Sequence, residues 1–344
     1  KKKISPFISK YNGIKYIYCG GTIKRNSIFL KMISFAISKI YEFSILKKLG
    51  KQKKIDILIL SYKPILSLVY YWILSKIYKF KIVLSVMELH STNPTKNIIT
   101  KINGKLHARY AYAFADGVIP ISQYIIDSIK KHYPLKPIFK LPVICDYNMY
   151  NTPKNNTNDN YFLYCGDVGY YEVILFIIES YEKTIGDYKL IIIASGEKTK
   201  LNQLQQRINN SHKNNSITLL SNIPEDKLIN LYINAKALLI PLRNKLRDIA
   251  RFPHKIGEYL ASGNPIITTY VGEIKYYFSD EINAIIAKNY DVEEYANKMQ
   301  WVIENPEKAQ KIGEEGKKLG LQYFDYKIYG LKLHNFFKSL IKTK

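Results

Sequence analysis

The sequence predicts an α/β protein made of two doubly wound parallel sheets, one after the other along the chain, facing each other across a central cleft. Three observations predict it. From residue 55 onward, apolar runs of strand length alternate with segments whose apolar residues recur at helical spacing. The alternation halts at an Asn-rich stretch, DYNMYNTPKNNTNDN, residues 146–160, and then restarts. At 344 residues and 47% apolar content, the chain has the length and the apolar material for two cores.

In the first half, KIDILIL reads as a strand and Pro64 to about Tyr78 as a helix, with proline suited to its first turn. The run ILSLVYYWILS within it is roughly half the ~20 residues a membrane span needs, so it reads as a buried helix. FKIVLSV is a strand, Asn97 to Ala115 a helix, GVIPIS a strand and Gln123 to about Tyr133 a helix. The second half supplies YFLYCG, a helix over EVILFIIESYEKTI, YKLIIIAS, a helix near Leu201 to Asn209, SITLLS, PEDKLINLYINA, ALLIPL, NAIIA and helices from Asp291. The expected division is a first domain over 1–148, a linker over 149–160, a second domain over 161–324, and a C-terminal helix over 325–344 that packs back on the first domain.

Charge is unevenly spread. Residues 1–150 hold 26 Lys+Arg against 6 Asp+Glu, a net of +20, whereas residues 151–344 hold 26 against 22, a net of +4. A basic first half attracts polyanions: nucleic acid, anionic lipid head groups or phosphorylated substrates. The competing reading is that the lysines keep a Tyr/Ile-rich protein soluble. Cys19, Cys145 and Cys165 form no CxxC pair and have no histidine at ligand spacing, which argues against a disulfide framework or a zinc site and fits a reducing cytoplasm. No signal peptide is evident at the opening KKKISPF.

The chemistry concentrates in RDIARFPHKIGEYLASGNPIITTYVGEI, residues 247–274. ALLIPL is apolar throughout, as a central strand is, so the loop after it lies at the ligand-binding edge of the second sheet. That loop carries Arg243, Lys245, Arg247 and Arg251, and a helix begins near Lys255. Free N–H groups at a helix start suit a diphosphate, and Arg251 and Lys255 add full charges. Glu258, one turn on, can accept two hydrogen bonds from a vicinal diol such as a ribose. Phosphate donors beside a diol acceptor describe a nucleoside diphosphate. The plainer reading is a carboxylate complementing the helix dipole beside a solvated cationic rim.

FPHKIGEYLASGNPII resembles the nucleotide-sugar signature of glycosyltransferases of the GT-B fold, in the retaining family GT4, with Pro253, Lys255, Glu258, Tyr259, Ala261, Gly263 and Pro265 at matching positions. YFLYCGDVGYYE and SNIPEDKLINLYINAKALLIPL are similar to other segments of that family's donor domain, and ADGVIPIS matches weakly in the first domain. The resemblance implies two Rossmann-like domains, the first for the acceptor and lacking its first strand, the second for the nucleotide sugar. It implies transfer with retention from a UDP- or GDP-sugar, with Lys255 and Arg251 as the catalytic cations. Glu258, Lys255, Arg251, Arg247, Gly166, Asp167 and Tyr259 would line the nucleotide. Ala250 stands where the family commonly has the first glutamate of its E-x7-E pair, and Asp167 and Glu172 lie where it often has cations.

The chain contains no Asp-x-Asp, so no ligand set for a metal-bridged diphosphate is visible; the expectation is a metal-independent enzyme without a cofactor. LSVMELHS ends a first-domain strand and would bring Glu88 or His90 to the acceptor hydroxyl, with Ser122 a weaker candidate. KKLGKQKK, residues 47–54, would hold the acceptor domain on an anionic inner leaflet beside a polyprenyl-diphosphate-linked glycan, making the protein cytoplasmic and peripheral to the inner membrane face. Surface polysaccharide biosynthesis follows from that acceptor. A nucleic-acid-binding module is the alternative from another class, although the basic residues form no reader motif. A sugar-nucleotide epimerase on the same fold would need cleft carboxylates and histidines that the sequence does not supply.

Overall fold

Two parallel sheets organise the computed structural model, which describes residues 7–11, 13–19, 28–61, 63–89, 98–154 and 160–342. Ahead of them, β1 (Phe7–Tyr11) and β2 (Ile14–Tyr18) form an antiparallel hairpin that pairs with neither sheet. Then come α1 (Ile28–Lys51), β3 (Ile57–Leu60), α2 (Ile65–Tyr78), β4 (Lys81–Val86), α3 (Ile98–Tyr110), β5 (Gly117–Pro120) and α4 (Gln123–Lys130). The three strands pair in parallel in the order β3-β4-β5. Every residue of β5 is buried, as expected of a strand covered on both faces.

The second half runs β6 (Tyr161–Asp167), α5 (Tyr171–Glu182), β7 (Lys189–Ser195), α6 (Lys198–Asn209), β8 (Ile217–Leu220), α7 (Glu225–Asn234), β9 (Ala237–Ile240), α8 (Leu246–Ala250), α9 (Lys255–Ser262), β10 (Ile266–Thr269), α10 (Ile274–Tyr277), β11 (Ile285–Ala287), α11 (Val292–Glu304), α12 (Pro306–Tyr323) and α13 (Tyr329–Lys342). Its six strands are parallel in the order β11-β10-β9-β6-β7-β8. The wholly buried β9, the ALLIPL run, sits between β10 and β6. Because β6 has β7 on one side and β9 on the other, the winding reverses between β6 and β9, and a crevice opens beyond their carboxyl ends.

The two halves touch through specific bonds. Ser122, at the end of the first sheet, caps α4 by accepting from Ile125 N–H and donates its hydroxyl to the Ala250 carbonyl, 2.6 Å away. The buried Glu273 accepts from Gln123 N–H at 2.6 Å and pairs with Lys140 at 2.7 Å. The carboxyl edges of β5 and β9 therefore face one another. Tyr147 and Tyr150, at the start of the Asn-rich stretch, are buried in a 3-10 turn and anchor it to the core; residues 155–159 lie outside the described residues. Leu340 of α13 packs with Val83 and Ile119 of the first sheet, and Phe336 stacks on Phe139 at 5.5 Å. Among the described residues no helix is long and apolar enough to cross a membrane.

Candidate functional site

At the reversal point, the loop leaving β6 and the loop leaving β9 are held together by charge. Asp167 turns the first loop by accepting from Gly169 N–H at 2.7 Å, and Gly166 lies so close to the Tyr164 hydroxyl that an added Cβ would come within 2.5 Å of it. These two residues shape the loop that presents Tyr170. From the other side, the guanidinium groups of Arg247 and Arg251 lie over the Tyr170 ring at 4.7 and 4.4 Å from its centroid.

Asp248 organises the arginines. It is fully buried, accepts from Arg243 N–H at 3.1 Å and from its Nε at 2.7 Å, and pairs with Arg251 Nη2 at 3.0 Å. A buried carboxylate is costly unless paired, so Asp248 fixes both cations where they stand. Glu172, in the first turn of α5, pairs with Lys245 at 3.3 Å and Arg243 at 3.1 Å. The hydrogen bond from Lys245, then the charges of both cations, hold its carboxyl below the ordinary range. The Nε atoms of Arg247 and Arg251 are buried and have no hydrogen-bond partner, which is unusual for guanidinium donors and is what an oxyanion would satisfy.

The next helix, α9, starts at Lys255 and stops at Gly263, whose φ of +75° is the left-handed conformation that a side chain would strain. Lys255 Nζ lies 2.8 Å from Glu258 Oε2 and 5.4 Å from the Tyr232 ring centroid. Burial and then the Glu258 charge push the neighbouring Cys145 thiol up to about 12, so it stays protonated and is no nucleophile.

The structure thus gathers Arg247 and Arg251 over Tyr170 and sets Lys255 and Glu258 together on α9. Gly166 and Asp167 close β6, just ahead of Tyr170. Tyr259 corrects the expectation that it lines the nucleotide: it is 0% exposed, and its hydroxyl accepts from Cys165 N–H at 2.9 Å, so it ties α9 to β6 from inside the core. Ser122 is likewise fully buried and committed to the Ala250 carbonyl, which leaves it no route to an acceptor. Glu88 lines a separate pocket of the first half, with Ser85 and Leu60 from the sheet edge and Gly104, His107 and Tyr112 beside it. His90 lies outside the described residues.

Sequence reasoning missed Tyr170, Asp248 and Glu273. The i,i+3 spacing of Asp248 and Arg251 was a usable signal. Nothing local marks Tyr170, which meets its arginines only through the strand order. Among the described residues no cluster of three or more His, Cys, Asp or Glu could hold a metal ion.

Residues 150–319 match the family model of glycosyl transferases group 1. No curated protein matches the sequence. The chain is similar in fold to sucrose-phosphate synthase of Thermosynechococcus elongatus, with 14% identity and a TM-score of 0.77 over 99% of this chain and 87% of that one. It is also similar to HepE of Anabaena in complex with UDP-glucose, with 16% identity and a TM-score of 0.70 over 87% and 82% of the two chains. The lipopolysaccharide outer core galactosyltransferase WaaB aligns over 91% of this chain and 82% of its own, at 16% identity and a TM-score of 0.63. With two Rossmann-like sheets and a glycosyl transferases group 1 segment over the second of them, the chain has the GT-B fold and is a glycosyltransferase.

Proposed function

We propose that the protein moves a sugar from a UDP- or GDP-sugar to a lipid-linked glycan acceptor, with retention at the anomeric carbon and without a metal ion, in the making of a surface polysaccharide. The observation that carries the reading is the pair of arginines stacked over Tyr170 at the reversal of the strand order, with unsatisfied buried donors, next to a helix that opens on Lys255. In this reading Arg251, Lys255 and the N-terminus of α9 hold the diphosphate, Arg247 assists, and Glu258 accepts from the ribose hydroxyls.

Charge on the departing diphosphate grows as the glycosidic bond breaks. Fixed cations therefore stabilise the transition state more than the ground state, which is what accelerates the step. Retention results when the acceptor hydroxyl attacks the face that the diphosphate leaves, and the diphosphate oxygen can take the hydroxyl proton. Glu88 or His90 orients that hydroxyl from the first domain. UDP is favoured by analogy with HepE, whose complex contains UDP-glucose. A protein positioned at the inner membrane face, cytoplasmic and peripheral, meets a polyprenyl-diphosphate-linked acceptor there, and the exposed lysines from Lys47 to Lys54 favour that placement.

A thermal-shift panel of UDP, GDP and their sugars tests the reading. Stabilisation by one nucleotide diphosphate and its sugars supports it. No stabilisation by any of them, together with a salt-dependent shift on DNA, returns the protein to a nucleic-acid-binding role.

A further inference from the structure

We propose that the outer face of α3, with the exposed side of α2, docks the protein on an anionic lipid bilayer, with apolar side chains entering the head-group region and cations flanking them. Ile98, Ile102, Leu106 and Tyr110 recur every four residues along α3, and all four are exposed, from 39% at Leu106 to 70% at Ile98. Lys101, Lys105 and Arg109 recur at the same spacing beside them, also exposed, and neither α3 nor α2 contains an acidic residue. Helical residues four apart share a face, so an apolar stripe runs alongside a basic one.

The surface continues onto α2. Ile65 N–H donates to Asn103 Oδ1 at 3.0 Å, which sets the start of α2 against the middle of α3. Leu66 beside it is 81% exposed, and Ile73, Lys76 and Ile77 are exposed further along. Monomeric soluble proteins rarely leave this much contiguous apolar surface without a partner.

Charge complementarity selects the occupant. Residues 28–114 hold 15 Lys+Arg against 3 Asp+Glu. A nucleic acid would use the cations but offers isoleucine and leucine nothing to enter, whereas an anionic bilayer accommodates both stripes. The inner side of the same helix, at Gly104, His107 and Ala108, lines the pocket that holds Glu88. Docking on the outer face would therefore leave the Glu88 pocket about one helix thickness, ~10 Å, from the lipid. The inference rests on the reading of this half as the acceptor side, and it adds the α3 face to the lysine run at the end of α1 as a membrane contact.

Co-sedimentation of the whole chain with phosphatidylcholine vesicles, with and without roughly one third phosphatidylglycerol, tests it. Wild type should pellet with the anionic vesicles only. Lys101→Glu/Lys105→Glu/Arg109→Glu should lower partitioning by about 10²-fold or more, and Ile102→Ser/Leu106→Ser should lower it at unchanged charge. Both variants should keep the wild-type melting temperature and nucleotide titration. Because nucleotide binding is read separately, failure of the donor-site reading would appear there and not in the pellet. Wild-type partitioning in either α3 variant, or none in the wild type, overturns the proposal. So does an Ile102→Ser/Leu106→Ser variant that pellets normally but turns a dimer into a monomer in velocity sedimentation, because the stripe would then be an interface between two copies of the chain.

Discussion

Lys255 Nζ lies 2.8 Å from Glu258 Oε2, so the cation expected at a diphosphate and the carboxylate expected at a ribose are paired with each other on α9. An i,i+3 pair with both partners partly exposed is worth only about 0.3–0.5 kcal/mol. In the proposed complex a diphosphate, with two charges and several acceptor oxygens, would draw Lys255 away at small cost and leave Glu258 to accept from the sugar hydroxyls.

The pairing gives the first prediction. Lys255→Ala should lower kcat by about 10²-fold, because a preorganised charge at the departing diphosphate is lost, with a smaller change in donor KM. Arg247→Ala should mainly raise donor KM, as expected of a group that binds ground and transition states alike. Steady-state kinetics of the two variants separate these roles. Near-wild-type values for both would reduce the cluster to a solvated rim.

Asp248 gives a second prediction. Its buried carboxylate holds Arg243 at 2.7 Å and Arg251 at 3.0 Å. Asp248→Asn keeps the shape but removes the charge, leaving the half-buried Arg251 guanidinium without its carboxylate and Arg243 with only the exposed Glu172, and should cost about 3 kcal/mol in urea denaturation. Saturation with nucleotide diphosphate should restore part of that stability, because the ligand supplies the missing negative charge.

Gly272 sits at φ +58°, and an added Cβ would lie 2.9 Å from the Ile249 carbonyl oxygen. Gly272→Ala should therefore destabilise by about 2 kcal/mol through combined strain and overlap. The contact is with the backbone of α8, so the same variant should weaken nucleotide binding, measured by titration. Stability lost with binding intact would separate α8 from the site.

A pH prediction comes from a pair remote from the site. Arg207 holds Glu182 in a two-pronged ion pair at 2.9 and 2.8 Å, and that hydrogen bonding keeps the Glu182 carboxyl below its ordinary value of 4.5. A carboxyl depressed in the folded state stabilises above about pH 4.5 and loses that stabilisation as pH falls through its folded value. Glu182→Gln should cost about 1–2 kcal/mol at pH 7 and make stability less sensitive to acid below pH 4.5. Parallel acid titrations of both proteins by circular dichroism check it.

Much of this architecture is legible in the sequence where burial imposes a pattern. ALLIPL reads as a central strand because β9 has no polar face, and GNP reads as the end of α9 because Gly263 must adopt a left-handed turn. α1 escapes notice because its apolar residues spread round the helix, with Met32, Phe35, Ile40 and Phe43 all exposed, so no single buried stripe repeats. Within the site, Arg247, Arg251, Lys255 and Glu258 were legible from one continuous stretch. Tyr170 was not, because its contact with Arg251 exists only once β6 and β9 become neighbours. Tyr259 was misplaced because its motif position fixes its place on α9 but not the side of the helix it faces.

In the proposed function the chain's own cations, with Glu258, hold a nucleoside diphosphate at the strand reversal. Calorimetric titration of UDP and GDP in EDTA, on wild type and Glu258→Ala, tests it most directly. One nucleotide should bind wild type without metal, and Glu258→Ala should weaken it by about 30-fold, the equivalent of about 2 kcal/mol for the lost ribose hydrogen bonds. Binding that appears only when a divalent cation is added, or equal affinity in the two proteins, would contradict the account.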